Sequence, residues 1–174
     1  MKFFNFLTIF FLSAYTYSCS DLLDTEIRVL DSSETVNLCE YTNHVVLVVN
    51  VASRCGYTYQ YSSLQKLYES YKEDDFVVLG VPSRDFMQEY SDEGDVAEFC
   101  STEYGVDFPM FATSKVRGKK ANALYKKLID QSGVSPSWNF NKYLITRDGK
   151  VASTFGSKVK PDSPELISKI KELL

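Results

Sequence analysis

The sequence predicts an α/β domain, and three observations lead to that prediction. Residues 44–51 and 76–81 are continuous apolar runs of the kind that form strands covered on both faces of a sheet. Residues 62–72, between these runs, carry apolar side chains at helical spacing. Near the C-terminus, two further strand patterns are joined by Asp148-Gly149, a strong hairpin signal, and a helical pattern follows them. Strand, helix and strand in succession are typical of an α/β fold.

The other elements follow from the same kinds of pattern. Residues 26–30 and 36–38 predict a short hairpin before the first core strand. The second core strand is expected to end at Pro82. Ser163 as an N-cap and Pro164 at the first helical position predict the start of the last helix. The remaining predicted boundaries are helices at 93–104, 122–129 and 164–174, and strands at 143–146 and 151–155.

Length and composition limit the classes of function. A chain of 174 residues predicts one domain with its own hydrophobic core. Its 19 basic and 23 acidic residues give a net charge of −4, without the basic surplus that nucleic-acid-binding proteins usually show. His44 is the only histidine, so a His-rich metal site is not expected. We therefore expect no nucleic-acid partner, no metal and no cofactor.

The first residues have the layout of a secretory signal peptide. A charged start, a short apolar stretch and a segment of small polar residues predict a signal peptide over residues 1–18 and a folded domain over 21–174. Cleavage after Ala14 or Ser20 is also compatible with this layout, and an uncleaved anchor or a disordered leader is the alternative. The expected location is therefore the secretory pathway or the outside of the cell.

The four cysteines differ in their surroundings. A domain of this size needs no disulfide framework, so Cys19 and Cys39 are expected to be packed or exposed. Cys19 lies at or beside the cleavage site, and its loss with the leader, or a free thiol, is also compatible with the sequence. Cys55 follows a buried strand and precedes a helix, where unpaired N–H groups and the helix dipole favour an anion. Such surroundings, with Arg54 alongside, lower the pKa of a thiol and produce the reactive thiolate. A buried structural cysteine is the alternative interpretation.

Three segments resemble the signatures of the glutathione peroxidase family. They are VNVASRCGYT at 49–58, FC at 99–100 followed by YGVDFPMF at 104–111, and SWNFNKYLI at 137–145. Their order and approximate spacing agree with that family from about Glu26 to the C-terminus. The resemblance implies a thioredoxin-like fold, with a central mixed sheet flanked by helices, and a peroxide-reducing activity.

The resemblance also implies the roles of five residues. Cys55 takes the position of the peroxidatic cysteine, and Gln88, Trp138 and Asn139 take the positions of the glutamine, tryptophan and asparagine around it. Cys100 takes the position of the resolving cysteine of thioredoxin-dependent members, and the helix at 93–104 would have to unwind locally to expose it. A buried helix cysteine without a redox role is the alternative. Gly94 and its polar neighbours predict a weak start for that helix.

One departure from the family affects Gln88. Only Met87 stands between Phe86 and Gln88, so this loop is one residue shorter than usual and lacks its glycine. The usual Pro-Gly after Gln88-Glu89 is also replaced, by Tyr90-Ser91. A solvated glutamine with no role in the site is therefore an alternative.

The resemblance implies a thiol peroxidase that reduces hydrogen peroxide and organic or lipid hydroperoxides. A thioredoxin-like or disulfide-isomerase-like dithiol is the expected reductant, and the alternatives are a glutathione-dependent peroxidase and a non-enzymatic redox-sensing or binding domain. Residues 112–121 form a short segment where tetrameric members carry an insertion, so we expect a monomer. Thr58 occupies the place of a second cysteine in Cys-x-x-Cys, which disfavours a thioredoxin-type oxidoreductase. Ala52 likewise replaces the threonine typical of peroxiredoxins.

Overall fold

The computed structural model describes residues 18–174. All but the last residue of the predicted signal peptide lies outside the described residues. Within the described part of the chain, no helix has the length and apolar character needed to cross a membrane.

Four strands form one mixed sheet at the centre of the molecule. Its strand order is β4-β3-β5-β6, with β3 parallel to β4 and antiparallel to β5, and with β5 antiparallel to β6. A separate antiparallel pair, β1 and β2, precedes it. The strands are β1 Glu26–Arg28, β2 Thr35–Asn37, β3 Val45–Val51, β4 Phe76–Pro82, β5 Lys142–Ile145 and β6 Val151–Phe155, and the helices are α1 Gln60–Tyr71, α2 Glu93–Tyr104, α3 Ala123–Ser132 and α4 Pro164–Leu173.

The sheet separates two apolar cores. Every residue of β3, β4 and β5 is buried, which explains the continuous apolar runs in the sequence. Side chains alternate along β3, so Val45, Leu47 and Val49 face a core built with α1, α2 and α4. Val46 and Val48 face the other core, built with α3 and the N-terminal segment.

The predicted elements are confirmed, with small shifts at their ends. Helix α1 begins two residues earlier than its apolar pattern indicated, and α3 continues to Ser132. Asn122 is not the first residue of α3 but its N-cap, because its side chain accepts the backbone N–H of Tyr125. Pro82 is the last residue of β4, where its missing N–H is tolerated.

The expectation for Cys19 and Cys39 was wrong, because the two residues form a disulfide with their Cα atoms 5.3 Å apart. The bond joins the N-terminal segment to the short 3₁₀ turn Leu38–Tyr41 that follows β2. Leu22 and Leu23, just after Cys19, are buried in the α3 side of the core. The disulfide therefore closes the loop 19–39, in which Leu22 and Leu23 are part of the core. The sequence predicted the β1–β2 hairpin but did not show that the segment before it packs beside the turn after it, which brings Cys19 to Cys39.

Candidate active site

Cys55 lies in the loop between β3 and α1, with only 6% of its surface exposed. The backbone N–H of Tyr57 approaches its sulfur at 3.5 Å, and the N–H of Thr58 donates to its carbonyl oxygen at 3.1 Å. The guanidinium of the exposed Arg54 lies 5.9 Å from the centre of the Tyr90 ring. The cysteine is thus held in a tight turn at the carboxyl end of a central strand.

Gln88 reaches this turn despite the shortened loop. Its carbonyl oxygen accepts the N–H of Arg54 at 2.9 Å, and its Oε1 accepts Nδ2 of Asn139 at 3.0 Å. Met87 allows the shorter connection because its backbone is left-handed, with φ of 58°, while its side chain is 93% exposed. Gln88 is therefore not a solvated loop residue in this structure.

Asn139 and Trp138 come from the turn before β5 and differ in exposure. Asn139 is fully buried, and among residues 18–174 its Oδ1 has no hydrogen-bond partner. Trp138 is 40% exposed, and its ring lies 5.3 Å from that of Phe86. The lone tryptophan therefore lies at the surface of the site rather than in the core.

The structure brings Gln88 and Asn139 together but does not join them to the Cys55 sulfur. Within the described residues, the N–H of Tyr57 is the one donor that contacts this sulfur. The two side-chain amides instead bond to each other. Catalytic hydrogen bonds are often long or misaligned without substrate, so this arrangement is compatible with a site that tightens around a peroxide.

Asn50, the last residue but one of β3, was missed by the sequence interpretation. Its Nδ2 donates to the carbonyl oxygen of Trp138 at 2.9 Å, and its Oδ1 accepts the N–H of Asn141 at 3.1 Å. Its own carbonyl oxygen accepts the N–H of Phe140, which has a φ of 60°. Asn50 thus holds the left-handed turn that presents Asn139. A polar residue inside an apolar strand was the signal that could have identified it.

Glu89 was also missed. Its Oε1 accepts the backbone N–H groups of Ser53 and Tyr90 at 3.0 and 2.8 Å, so it fastens the loop after Gln88 to the segment before Cys55. Burial of the side chain raises the pKa of this carboxyl, although those two N–H groups oppose the shift. No pattern in the sequence distinguishes Glu89 from a surface charge.

Cys100 is a free thiol in the middle of α2, with 3% of its surface exposed. Burial raises the pKa of this thiol to about 11, because the thiolate would be poorly solvated there. The thiol is therefore protonated at neutral pH while α2 is folded, and it is not bonded to Cys55.

The N-terminus of α2 is stabilised by more contacts than the sequence indicated. Asp92 is its N-cap and accepts the N–H groups of Gly94 and Asp95 at 2.9 and 3.3 Å. Glu93 accepts two hydrogen bonds from one guanidinium nitrogen of Arg28, at 2.9 and 2.7 Å. Burial alone would raise the pKa of Glu93, but the hydrogen bonds from Arg28 and neighbouring backbone N–H groups lower it. These contacts offset the low helix propensity of Gly94.

Comparison with known sequences identifies the family. The sequence profile described as "Glutathione peroxidase" matches residues 22–129. The chain belongs to the glutathione peroxidase family. The glutathione peroxidase homolog BsaA of Halalkalibacterium halodurans is 45% identical over 150 residues, which cover 80% of this chain and 95% of that protein.

Two further relatives differ in the activities that their names state. The hydroperoxy fatty acid reductase gpx1 of Synechocystis is 40% identical, over 84% of this chain and 92% of that one. The thioredoxin/glutathione peroxidase BtuE of Escherichia coli is 34% identical, over 86% of this chain and 95% of that one.

Solved structures confirm the thioredoxin-like fold. The crystal structure of Trgpx in its apo form has a TM-score of 0.71 and 35% identity, and covers 88% of this chain and 95% of that chain. A thioredoxin-family thiol:disulfide interchange protein from Chlorobium tepidum has a TM-score of 0.64 with 11% identity, and covers 86% of this chain and 92% of that chain. The second likeness concerns the fold alone.

Proposed function

We propose that this protein is a thiol peroxidase in which Cys55 is the peroxidatic nucleophile. The observation that carries the proposal is the position of Cys55 at a central strand exit, with an N–H on its sulfur and the Gln88–Asn139 amide pair fastened to the same turn. The Cys55 thiolate attacks the outer oxygen of a hydroperoxide, and the O–O bond breaks. Cys55 becomes a sulfenic acid, and the leaving alkoxide or hydroxide takes up a proton.

Neutral N–H donors suit this reaction. Negative charge moves from sulfur to the leaving oxygen, and amide and indole N–H groups stabilise both ends without themselves becoming charged. Gln88, Asn139 and Trp138 are the proposed donors around Cys55 once a peroxide is bound.

Cys100 is proposed to resolve the sulfenic acid. Attack of its sulfur on the Cys55 sulfenic acid forms a disulfide and releases water. Because the two Cα atoms must come within about 7 Å and the Cys100 thiol is buried with a pKa of about 11, part of α2 opens first. Opening places the thiol in water, where its pKa returns toward that of an ordinary cysteine.

A thioredoxin-like or disulfide-isomerase-like dithiol is the proposed reductant of this disulfide. The E. coli relative named as a thioredoxin/glutathione peroxidase supports a dithiol of this type. Glutathione, which would react with the sulfenic acid directly, is the second candidate, and the family name supports it.

The proposed substrates are hydrogen peroxide and organic hydroperoxides, including those of lipids. The exposed side chains of Trp138 and Met87 leave an open apolar margin around the site. The Synechocystis relative, which is named as a hydroperoxy fatty acid reductase, supports long-chain substrates. The short segment 112–121 supports a monomer, in which this margin stays open.

Secretion is the proposed fate of the chain. Besides the signal-peptide pattern over residues 1–18, the Cys19–Cys39 disulfide supports it, because such bonds persist in oxidising compartments. A dithiol protein of the secretory pathway is then the natural reductant.

The deciding experiment follows peroxide consumption by the purified protein with thioredoxin and its reductase, and in parallel with glutathione. We expect faster turnover with the dithiol and none in Cys55→Ser, whose hydroxyl is hardly ionised. Cys100→Ala should lose dithiol-driven turnover but keep one rapid burst. Peptide mapping after one equivalent of peroxide should show a Cys55–Cys100 link. Absence of peroxide consumption in the wild type would favour a non-enzymatic domain instead.

A further inference from the structure

Lys142 is a buried lysine at the start of β5. Its side chain is fully inaccessible, and within residues 18–174 it makes no salt bridge. Its strand neighbours are Val49 and Phe155, which belong to the core on the α1 side of the sheet. A buried amine without a carboxylate costs stability. Such a residue needs an explanation other than packing.

The amine of Lys142 connects the two segments that form the site. Its Nζ donates to the carbonyl oxygen of Phe140 at 2.8 Å, in the left-handed turn that follows Asn139. It also donates to Oε1 of Gln60 at 2.8 Å. Gln60 is the first residue of α1, the helix that follows the Cys55 loop. One side chain thus bonds to both the Asn139 turn and the helix after Cys55.

A second path joins the same two segments. Nε2 of the fully buried Gln60 donates to the carbonyl oxygen of Ser157 at 2.7 Å. The hydroxyl of Ser157 donates to the carbonyl oxygen of Asn139 at 2.5 Å and accepts Nδ2 of Asn141 at 2.8 Å. Lys142, Gln60 and Ser157 therefore form a closed network behind the turn. This network holds the carbonyl oxygen of Asn139 and the residues that follow it.

We propose that Lys142 is a positioning residue. Its amine bonds to Phe140 and to Gln60, and so keeps the backbone of the Asn139 turn in a fixed position relative to the Cys55 loop. This inference rests on the proposed peroxidase function and assigns to Lys142 no contact with the peroxide. Loss of the amine leaves two buried carbonyl oxygens without their donor. The Asn139 turn, which has a left-handed residue, then relaxes, and a small misplacement of Asn139 slows the oxidation of Cys55.

The test measures the second-order rate constant for oxidation of Cys55 by hydrogen peroxide in a stopped-flow instrument. Trp138, the only tryptophan, supplies the fluorescence signal. Lys142→Met keeps the length of the side chain and removes the amine. Lys150→Met, at an exposed lysine in the turn between β5 and β6, is the matched control. Gln60→Met keeps the lysine and removes its acceptor, so it carries the test if Lys142→Met fails to fold.

The decisive readout is coupling to Asn139. We expect Lys142→Met and Gln60→Met each to slow Cys55 oxidation about 10-fold, and Lys150→Met to change it less than about twofold. In an Asn139→Ala background the same two substitutions should each cost less than about twofold, because their effect passes through Asn139. Folding of each variant is verified by circular dichroism.

Two results would overturn the inference while leaving the peroxidase proposal in place. One is a folded Lys142→Met or Gln60→Met variant with wild-type oxidation. The other is a further loss of about 10-fold in the oxidation rate when either substitution is added to Asn139→Ala, which would show that the substitution acts on the structure in general and not through Asn139. If the wild-type protein itself fails to oxidise at Cys55, the peroxidase proposal is wrong, and the inference about Lys142 is refuted with it.

Discussion

Local opening of α2 is the step that the proposed mechanism most needs, and removal of the helix N-cap tests it. Asp92→Ala deletes the acceptor for the N–H groups of Gly94 and Asp95. Loss of an N-cap costs a helix about 1 kcal/mol. That cost raises the population of the opened helix about fivefold, since 1.4 kcal/mol corresponds to a factor of ten.

The expected signal follows from the burial of Cys100. With a pKa of about 11, the closed state holds about 0.03% of this thiol as thiolate at pH 7.5, against about 10% for an ordinary cysteine. Alkylation therefore proceeds almost entirely through the opened state. We expect Asp92→Ala to alkylate Cys100 about five times faster than its parent protein.

The assay uses iodoacetamide and peptide mass spectrometry in a Cys55→Ser background. Cys19 and Cys39 are bonded to each other, so Cys100 is then the single free thiol among the four cysteines of the chain. Ser163→Ala is the matched control, because it removes the N-cap of α4. It should lower stability without increasing the alkylation of Cys100.

Either of two results would refute this reasoning. If Asp92→Ala leaves the alkylation rate unchanged, the N-terminal half of α2 takes no part in the exposure of Cys100. If Ser163→Ala accelerates alkylation as much as Asp92→Ala does, Cys100 is exposed only by unfolding of the whole domain.

Three other predictions concern the site and the stability of the fold. Gln88→Ala should slow Cys55 oxidation about 10²-fold by removing a donor at a site of developing charge. Gln131→Ala, at an exposed glutamine that accepts the N–H of Val151, is the control and should leave the rate unchanged. Equal oxidation rates for the two variants would show that Gln88 takes no part in the reaction. Cys39→Ser opens the disulfide and should lower the free energy of unfolding by about 3 kcal/mol, measured in urea, and no change would mean that the N-terminal segment folds independently of the bond. Burial lowers the pKa of Lys142 to about 7 in the folded protein. Between pH 7 and the pKa of this lysine in the unfolded chain, the unfolded state therefore binds more protons than the folded state. Burial of the charged amine destabilises the fold fully below pH 7, and this destabilisation decreases as the pH rises. The stability of the wild type relative to Lys142→Met should therefore increase by about 3 kcal/mol between pH 7 and 9.5, and a flat difference would contradict the assigned cause.

The sequence determined the features of this protein that depend on neighbouring residues. Apolar runs fixed β3 and β4, because a strand covered on both faces has no polar alternation. Turn and cap residues fixed the β5–β6 hairpin and the start of α4. The position of Cys55 between a strand and a helix, and the three family signatures, indicated the chemistry and the residues that surround it.

Only the tertiary structure decided which distant groups meet. It paired Cys19 with Cys39, brought Gln88 to Asn139 through the left-handed backbone of Met87, and buried Cys100 deeply enough to keep it protonated. It also gave Asn50 and Lys142, neither of which the sequence singled out, their partners in the Asn139 turn. These contacts join segments far apart in the chain, and their distances depend on the packing of the whole sheet and its helices. A local pattern records the propensity of a segment but not the partner that the folded chain places beside it.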